Sequence, residues 1–125
     1  MSMARPPRRT RPTVTVCRGC CCGNPHKHPS VDHAALLDAL VTGVGSAGRV
    51  RVSTCLAACE WSNVVVVGPD PAERRAGARP IWLADVHTDD IVAGVVEWVR
   101  RGGPGIEDPP PNLERSMFSP SRRGD

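Results

Sequence analysis

The sequence predicts a mixed α/β domain with the element order β-α-β-β-β-α, built as a central mixed sheet flanked by helices. Four short segments are rich in β-branched residues, which favours strands. Two longer segments space their apolar residues as one face of a helix. The first of these lies between the first two strands, and the second follows the last strand. This order predicts a βαβ unit followed by a ββα unit.

The predicted strands are separated by turn-forming residues. The segments TVTV (13–16) and RVRVS (49–53) alternate β-branched with other residues, and each ends just before a group of cysteines. The run NVVVVG (63–68) is typical of a buried strand, and IWLADV (81–86) predicts the fourth. Between them, PDPAERRAGAR (69–79) is turn material.

Capping residues set the bounds of the two predicted helices. Ser30 is the expected cap of a first helix over 31–42, which Gly43 and Gly45 end. Thr88 is the expected cap of the last helix, with acidic residues in its first turn. The predicted apolar faces are Leu37, Leu40, Val41 and Val44 for the first helix, and Ile91, Val92, Val95, Val96 and Val99 for the last.

The two ends of the chain differ from the middle. Residues 1–12 carry four arginines among prolines and predict a disordered basic arm. Residues 104–125 are rich in proline and predict a flexible tail, which leaves a folded domain over 13–103. The apolar residues of the tail motivate the hypothesis that it docks to a partner. They are Leu113, Met117 and Phe118.

Charge and hydropathy exclude several classes of protein. Residues 13–106 hold nine basic and nine acidic side chains, so the excess charge belongs to the arm and nucleic acid is not expected as the main partner. The sequence contains no apolar run near 18 residues and no signal-peptide core, which predicts a cytoplasmic protein without a membrane span. In a reducing compartment, six cysteines favour metal binding or thiol chemistry over disulfides.

The cysteines fall into two groups, CRGCCCG from Cys17 and TCLAAC, which ends at Cys59. The outermost members give Cys17-x4-Cys22, then 32 intervening residues, then Cys55-x3-Cys59. Four thiolates in two pairs can hold a [2Fe-2S] cluster, each pair on one iron. They can equally form one tetrahedral zinc site, and spacing alone does not separate these cases.

This arrangement resembles the thioredoxin-like [2Fe-2S] ferredoxins and the related small ferredoxin-like subunit of NADH:quinone oxidoreductases. The resemblance covers about residues 14–101 and includes the strand order and the C-L-x-x-C step before a β-branched strand. It implies that the cluster ligands are Cys17, Cys22, Cys55 and Cys59. It also implies a one-electron carrier that meets a redox partner protein, and a homodimer as one expected state.

The sequence departs from the family in two places. Ser62 and Asn63 stand where members commonly have Gly-Pro, before the third strand. Cys20 and Cys21 exceed the four ligands, and Cys20 is an alternative to Cys22 because Cys17-x2-Cys20 resembles small predicted metal-binding proteins with a CxxC followed by CLxxC.

Two rival functions remain open. The first is a zinc-binding structural or interaction module. The second is a thiol-disulfide protein using Cys17-x2-Cys20, although that chemistry needs the first cysteine at a helix N-terminus and the helix is predicted to begin near Ser30. Histidine ligation by His26, His28 or His33 is the less favoured alternative to thiolate, and His87 is expected to face solvent.

The sequence contains no phosphate-binding glycine loop and no Ser-His-Asp pattern. A carrier is therefore expected rather than an enzyme.

Overall fold

The structure is a computed structural model that describes residues 11–18, 31–53 and 63–118. Over these ranges the chain forms a five-stranded mixed sheet with the order β2-β1-β3-β4-β5. Strands β1 and β2 are parallel, and the other neighbouring pairs are antiparallel. The mixed α/β class and the central mixed sheet are thus confirmed. The strands are β1 Thr13–Cys17, β2 Arg49–Ser53, β3 Val65–Gly68, β4 Ile81–Leu83 and β5 Met117–Phe118.

Helices α1 (His33–Val44) and α3 (Asp89–Arg100) pack on each other and on the same face of the sheet. The short helix α2 (Pro71–Arg75) lies between β3 and β4. Two 3₁₀ turns, Gly45–Ala47 and Pro111–Ser116, complete the described elements.

The core lies between the sheet and the two long helices. Strand β1 contributes Val14 and Val16, which alternate with half-buried threonines. Trp98 of α3 is the largest fully buried side chain, and its indole N–H donates to the carbonyl of Glu107 at 2.8 Å. The opposite face of the sheet carries a smaller apolar cluster. Its members are Cys17, Val64, Val66, Trp82 and Phe118.

Helix α1 begins later than predicted. Asp32 is its N-cap, and the Asp32 carboxylate accepts a hydrogen bond from the N–H of Ala35 at 3.0 Å. The expected cap, Ser30, lies outside the described residues. Gly43 is inside the helix rather than at its end, whereas Gly45 is the C-cap with a φ of 51°.

The buried face of α1 also differs from the prediction. Leu36, Leu40 and Val44 are buried, Leu37 is half-buried, and Val41 is 51% exposed. The side chains that face the sheet are spaced by four residues, and this row includes Leu36 and leaves out Val41.

Helix α3 begins as predicted. The Thr88 hydroxyl accepts from the N–H of Ile91 at 3.3 Å, and two aspartates follow in the first turn. Its buried residues include Trp98 and Gly94, which the prediction left out, and Ile91 and Val96 are only half-buried.

The predicted turn segment 69–79 contains helix α2. Asp70 caps it, since one carboxylate oxygen accepts from the N–H groups of Ala72 at 2.7 Å and Glu73 at 3.2 Å. Pro71 occupies the first turn, where its missing N–H carries no penalty.

Residues 104–118 of the predicted flexible tail pack onto the domain. Leu113 is fully buried in the main core, and the two residues of β5 pair with β4. Phe118 stands edge-on to Trp82, with ring centroids 6.0 Å apart. The hypothesis of a docking tail rested on these apolar side chains, and the structure uses Leu113 and Phe118 for folding instead. Residues 1–10 of the arm and 119–125 lie outside the described ranges.

None of the helices within the described ranges is long and apolar enough to cross a membrane.

Candidate metal centre

Cys17 is the predicted ligand that the structure describes. It is the last residue of β1 and only 4% exposed, and its backbone N–H donates to the carbonyl of Val64 at 3.1 Å. The strand therefore fixes the position of this thiol at one end of the sheet. The other candidate ligands lie outside the described residues, as does the surplus Cys21. They are Cys20, Cys22, Cys55 and Cys59.

The register of the parallel pair β1 and β2 places Cys17 beside Ser53. The N–H of the next residue, Arg18, donates to the carbonyl of Ser53 at 2.8 Å. Neighbouring strands lie about 4.8 Å apart. Cys55 follows Ser53 by two residues, which span at most about 7 Å of chain. Cys17 and Ser53, the last described residue before the second cysteine group, therefore lie at the same end of the sheet on adjacent strands.

Arg18 ties this end of the sheet to helix α1. Its guanidinium donates to the carbonyl of Cys17 at 2.9 Å and to the carbonyl of His33 at 3.1 Å. The first residue of α1 is thus held against the last residue of β1. The arrangement also fixes a positive charge at the backbone of Cys17.

Asn63 is the first described residue after the second cysteine group, and several hydrogen bonds fix its position. This residue is 1% exposed, and its carbonyl accepts from the N–H of Val86 at 3.0 Å. Its own N–H donates to Nε2 of His87 at 3.0 Å, and its side-chain Nδ2 lies 2.8 Å from Nδ1 of His33. One buried residue therefore joins the start of α1, through its side chain, to the segment before α3, through its backbone.

The structure changes the interpretation of two histidines. His87 was expected to face solvent, yet it is half-buried and accepts a backbone hydrogen bond from Asn63. His33 is the first residue of α1, which was predicted to begin at residue 31, and it is half-buried beside the same asparagine. Sequence reasoning gave Asn63 no structural role. The available signal was its position, because Asn63 stands where the resembled family commonly has proline.

The N-terminus of α1 bears on the thiol-disulfide alternative. In that chemistry the helix dipole stabilises a thiolate at the first turn. Here the carboxylate of Asp32 caps the helix, and the helix begins at His33, well after Cys20. A carboxylate in this position disfavours a second negative charge nearby.

The donor set fits a metal group that prefers sulfur. Cys17 supplies a buried sulfur at a strand end, and the described residues by themselves hold no group of three side chains suited to a metal ion. Comparison with family models, with curated proteins and with solved structures finds no match to this chain.

Proposed function

We propose that this protein binds a [2Fe-2S] cluster and acts as a one-electron carrier. The observation that carries the proposal is the pairing of Cys17 with Ser53 in the parallel β1–β2 ladder. Cys17 ends β1 and Cys55 follows the end of β2 by two residues in the sequence, which supports placing the two cysteine groups together. This is the arrangement that a cluster with two cysteines on each iron requires.

The topology supports a thioredoxin-like classification within this proposal. A parallel βαβ unit, β1-α1-β2, is followed by antiparallel β3 and β4 and then α3. Both long helices cover one face of the sheet. The helix α2, the last 3₁₀ turn and β5 are additions to this six-element core.

The proposed ligands are Cys17, Cys22, Cys55 and Cys59, with Cys20 as the alternative to Cys22. When bound, such a cluster accepts and releases one electron without a change in its ligands. A redox partner protein would dock at the end of the sheet where β1 and β2 terminate.

The described residues have clear tasks in this arrangement. The burial of Cys17 keeps water from one ligand, and low solvent exposure is one of the factors that set a cluster's potential. Arg18 supplies a fixed positive charge beside a centre whose thiolates and sulfides are negative. The hydrogen bonds of Asn63 fix the point where the second loop returns to the sheet.

Metal analysis of anaerobically purified protein tests the proposal. We expect two iron and two acid-labile sulfide per chain, a visible charge-transfer spectrum, and an S = 1/2 EPR signal after dithionite reduction. Zinc alone, persisting through reconstitution with iron and sulfide, would replace the carrier by a zinc-stabilised interaction module.

Single cysteine-to-serine variants test the ligand set. Cys17→Ser, Cys55→Ser and Cys59→Ser should each abolish the reducible cluster, whereas Cys21→Ser is the matched control from the same loop and should retain it. Cys22→Ser and Cys20→Ser then identify the remaining ligand, since only one of them should lose iron. Equal loss in Cys20→Ser, Cys21→Ser and Cys22→Ser would contradict the assignment.

A further inference from the structure

A small cavity lies at the opposite end of the sheet from Cys17. Its volume is about 150 Å³, and its walls are Arg11, Thr13, Arg49, Pro69, Pro71 and Arg74. Thr13 and Cys17 are the two ends of strand β1, which separates them by about 13 Å. The cavity is therefore distinct from the candidate metal centre.

The fold brings three arginines to this cavity from three separate segments. Thr13 pairs with Arg49 of β2 on one side and with Gly68 of β3 on the other. The N–H of Arg49 donates to the carbonyl of Pro12 at 3.0 Å, which fixes the chain beside Arg11. Arg74 comes from helix α2, which follows β3 after a short link. Backbone pairing, rather than sequence proximity, thus sets this concentration of positive charge.

The arginines of the cavity form no ion pair within the described ranges. Among the described residues, the ion pairs join Arg101 to Glu97 and to Glu107, and none involves the arginines of the cavity. One carboxylate oxygen of Asp70 already accepts the two hydrogen bonds that cap α2. The carboxylate of Glu73 lies close to Gly105. A Cβ atom built on Gly105 would be 3.2 Å from Oε1 of Glu73.

Arg11 is held beside the cavity by a hydrogen bond to the backbone. Its Nη1 donates to the carbonyl of Ser46 at 3.2 Å. This contact keeps the Arg11 side chain at the wall of the cavity.

We propose that this cavity binds a single phosphate group, either free or as the terminal group of a phosphate monoester. Guanidinium groups match the geometry and charge of phosphate oxygens. The Thr13 hydroxyl adds a neutral donor, and the two prolines form rigid walls without N–H groups. A volume of about 150 Å³ is small beside the 300–1,000 Å³ of sites that enclose whole organic ligands. The buried part of the ligand is therefore the phosphate alone.

Calorimetric titration of the full-length protein tests this site with two probes, inorganic phosphate and adenosine 5′-monophosphate. Arg49→Gln and Arg74→Gln each remove one guanidinium and should weaken phosphate binding by about tenfold or more. Arg51→Gln is the matched control, because Arg51 follows Arg49 by two residues on the same exposed strand and does not line the cavity. It should change the affinity by less than about twofold, the scale of screened surface charge.

The two probes distinguish the sources of the phosphate. Equal affinity for both would support recognition of the phosphate group alone, and tighter binding of the nucleotide would support a phosphate monoester as the ligand. Absence of saturable binding with either probe would overturn the proposal. Equal weakening by Arg51→Gln and Arg74→Gln would also overturn it, since diffuse surface charge would then explain the binding. Thermal unfolding of each variant shows whether a loss of affinity is a loss of folding.

Discussion

The backbone N–H of Asn63 donates to Nε2 of His87 across 3.0 Å. A backbone N–H can only donate, so this ring nitrogen carries no proton and His87 is neutral with its proton on Nδ1. The bond joins Asn63, which lies two residues before the start of β3, to the residue that precedes the Thr88 cap of α3. It therefore links the return of the second cysteine loop to the last helix.

Removal of the His87 ring should destabilise the domain. His87→Ala leaves the buried Asn63 N–H without this acceptor, and we expect a loss of about 1–3 kcal/mol in the free energy of unfolding. His87→Gln is the control because its amide oxygen can accept the same bond, and it should lose less. Urea unfolding measures both, and equal losses would show that the hydrogen bond is not the cause. Nitrogen NMR of the imidazole should show the Nδ1–H tautomer.

The cap of α1 can be tested by comparing two polar residues. Asp32→Ala should lower the free energy of unfolding by about 1 kcal/mol, because the N–H of Ala35 loses its side-chain acceptor. Asp32→Asn keeps an acceptor oxygen and should retain most of the stability. Ser30→Ala should have little effect, since the helix starts after Asp32. A larger loss from Ser30→Ala than from Asp32→Ala would restore the cap expected from the sequence.

Local signals explain why the first two strands were predictable, whereas β3 and β4 are shorter than the predicted segments and β5 was not predicted. RVRVS is strictly alternating and forms β2 with the predicted bounds, and TVTV is extended only by Cys17. The sequence predicted Ser30 as the cap of the first helix and Val41 on its apolar face, whereas Asp32 is the cap and Leu36 is buried instead of Val41. Its partner α3 had to be in place to select Leu36 over Val41. The segment around Leu113 was missed because proline-rich composition resembles a tail, while its burial depends on distant residues.

The position of Cys17 at the end of β1 was predictable, and the residues around it were not. The cysteine spacing identified Cys17 as a candidate ligand, and the alternating strand pattern predicted its position. Both signals are local in the sequence. The roles of Asn63 and of the arginines around Thr13 arise from pairing between distant segments, which leaves no periodic signal in the sequence.

Gly43 sets how closely α1 approaches α3. A Cβ built on this glycine would lie 2.8 Å from Cγ2 of Val96, and a β-branched valine has little freedom to move aside. Gly43→Ala should therefore lower the free energy of unfolding by about 1–3 kcal/mol. In a Val96→Ala background the same change should be neutral or stabilising, by up to about 1 kcal/mol, because alanine favours helix. Equal effects in both backgrounds would contradict this contact.

Substitution of Leu113 tests whether the chain beyond residue 103 is part of the folded domain. Its side chain is fully buried in the main core, and Leu113→Ala should lower the free energy of unfolding by about 2–5 kcal/mol. Met117→Ala is the matched control from the same segment, because Met117 is 37% exposed and loses less burial. Urea unfolding monitored by tryptophan fluorescence gives both values. A flexible tail, as its composition predicted, would make the two substitutions equally harmless.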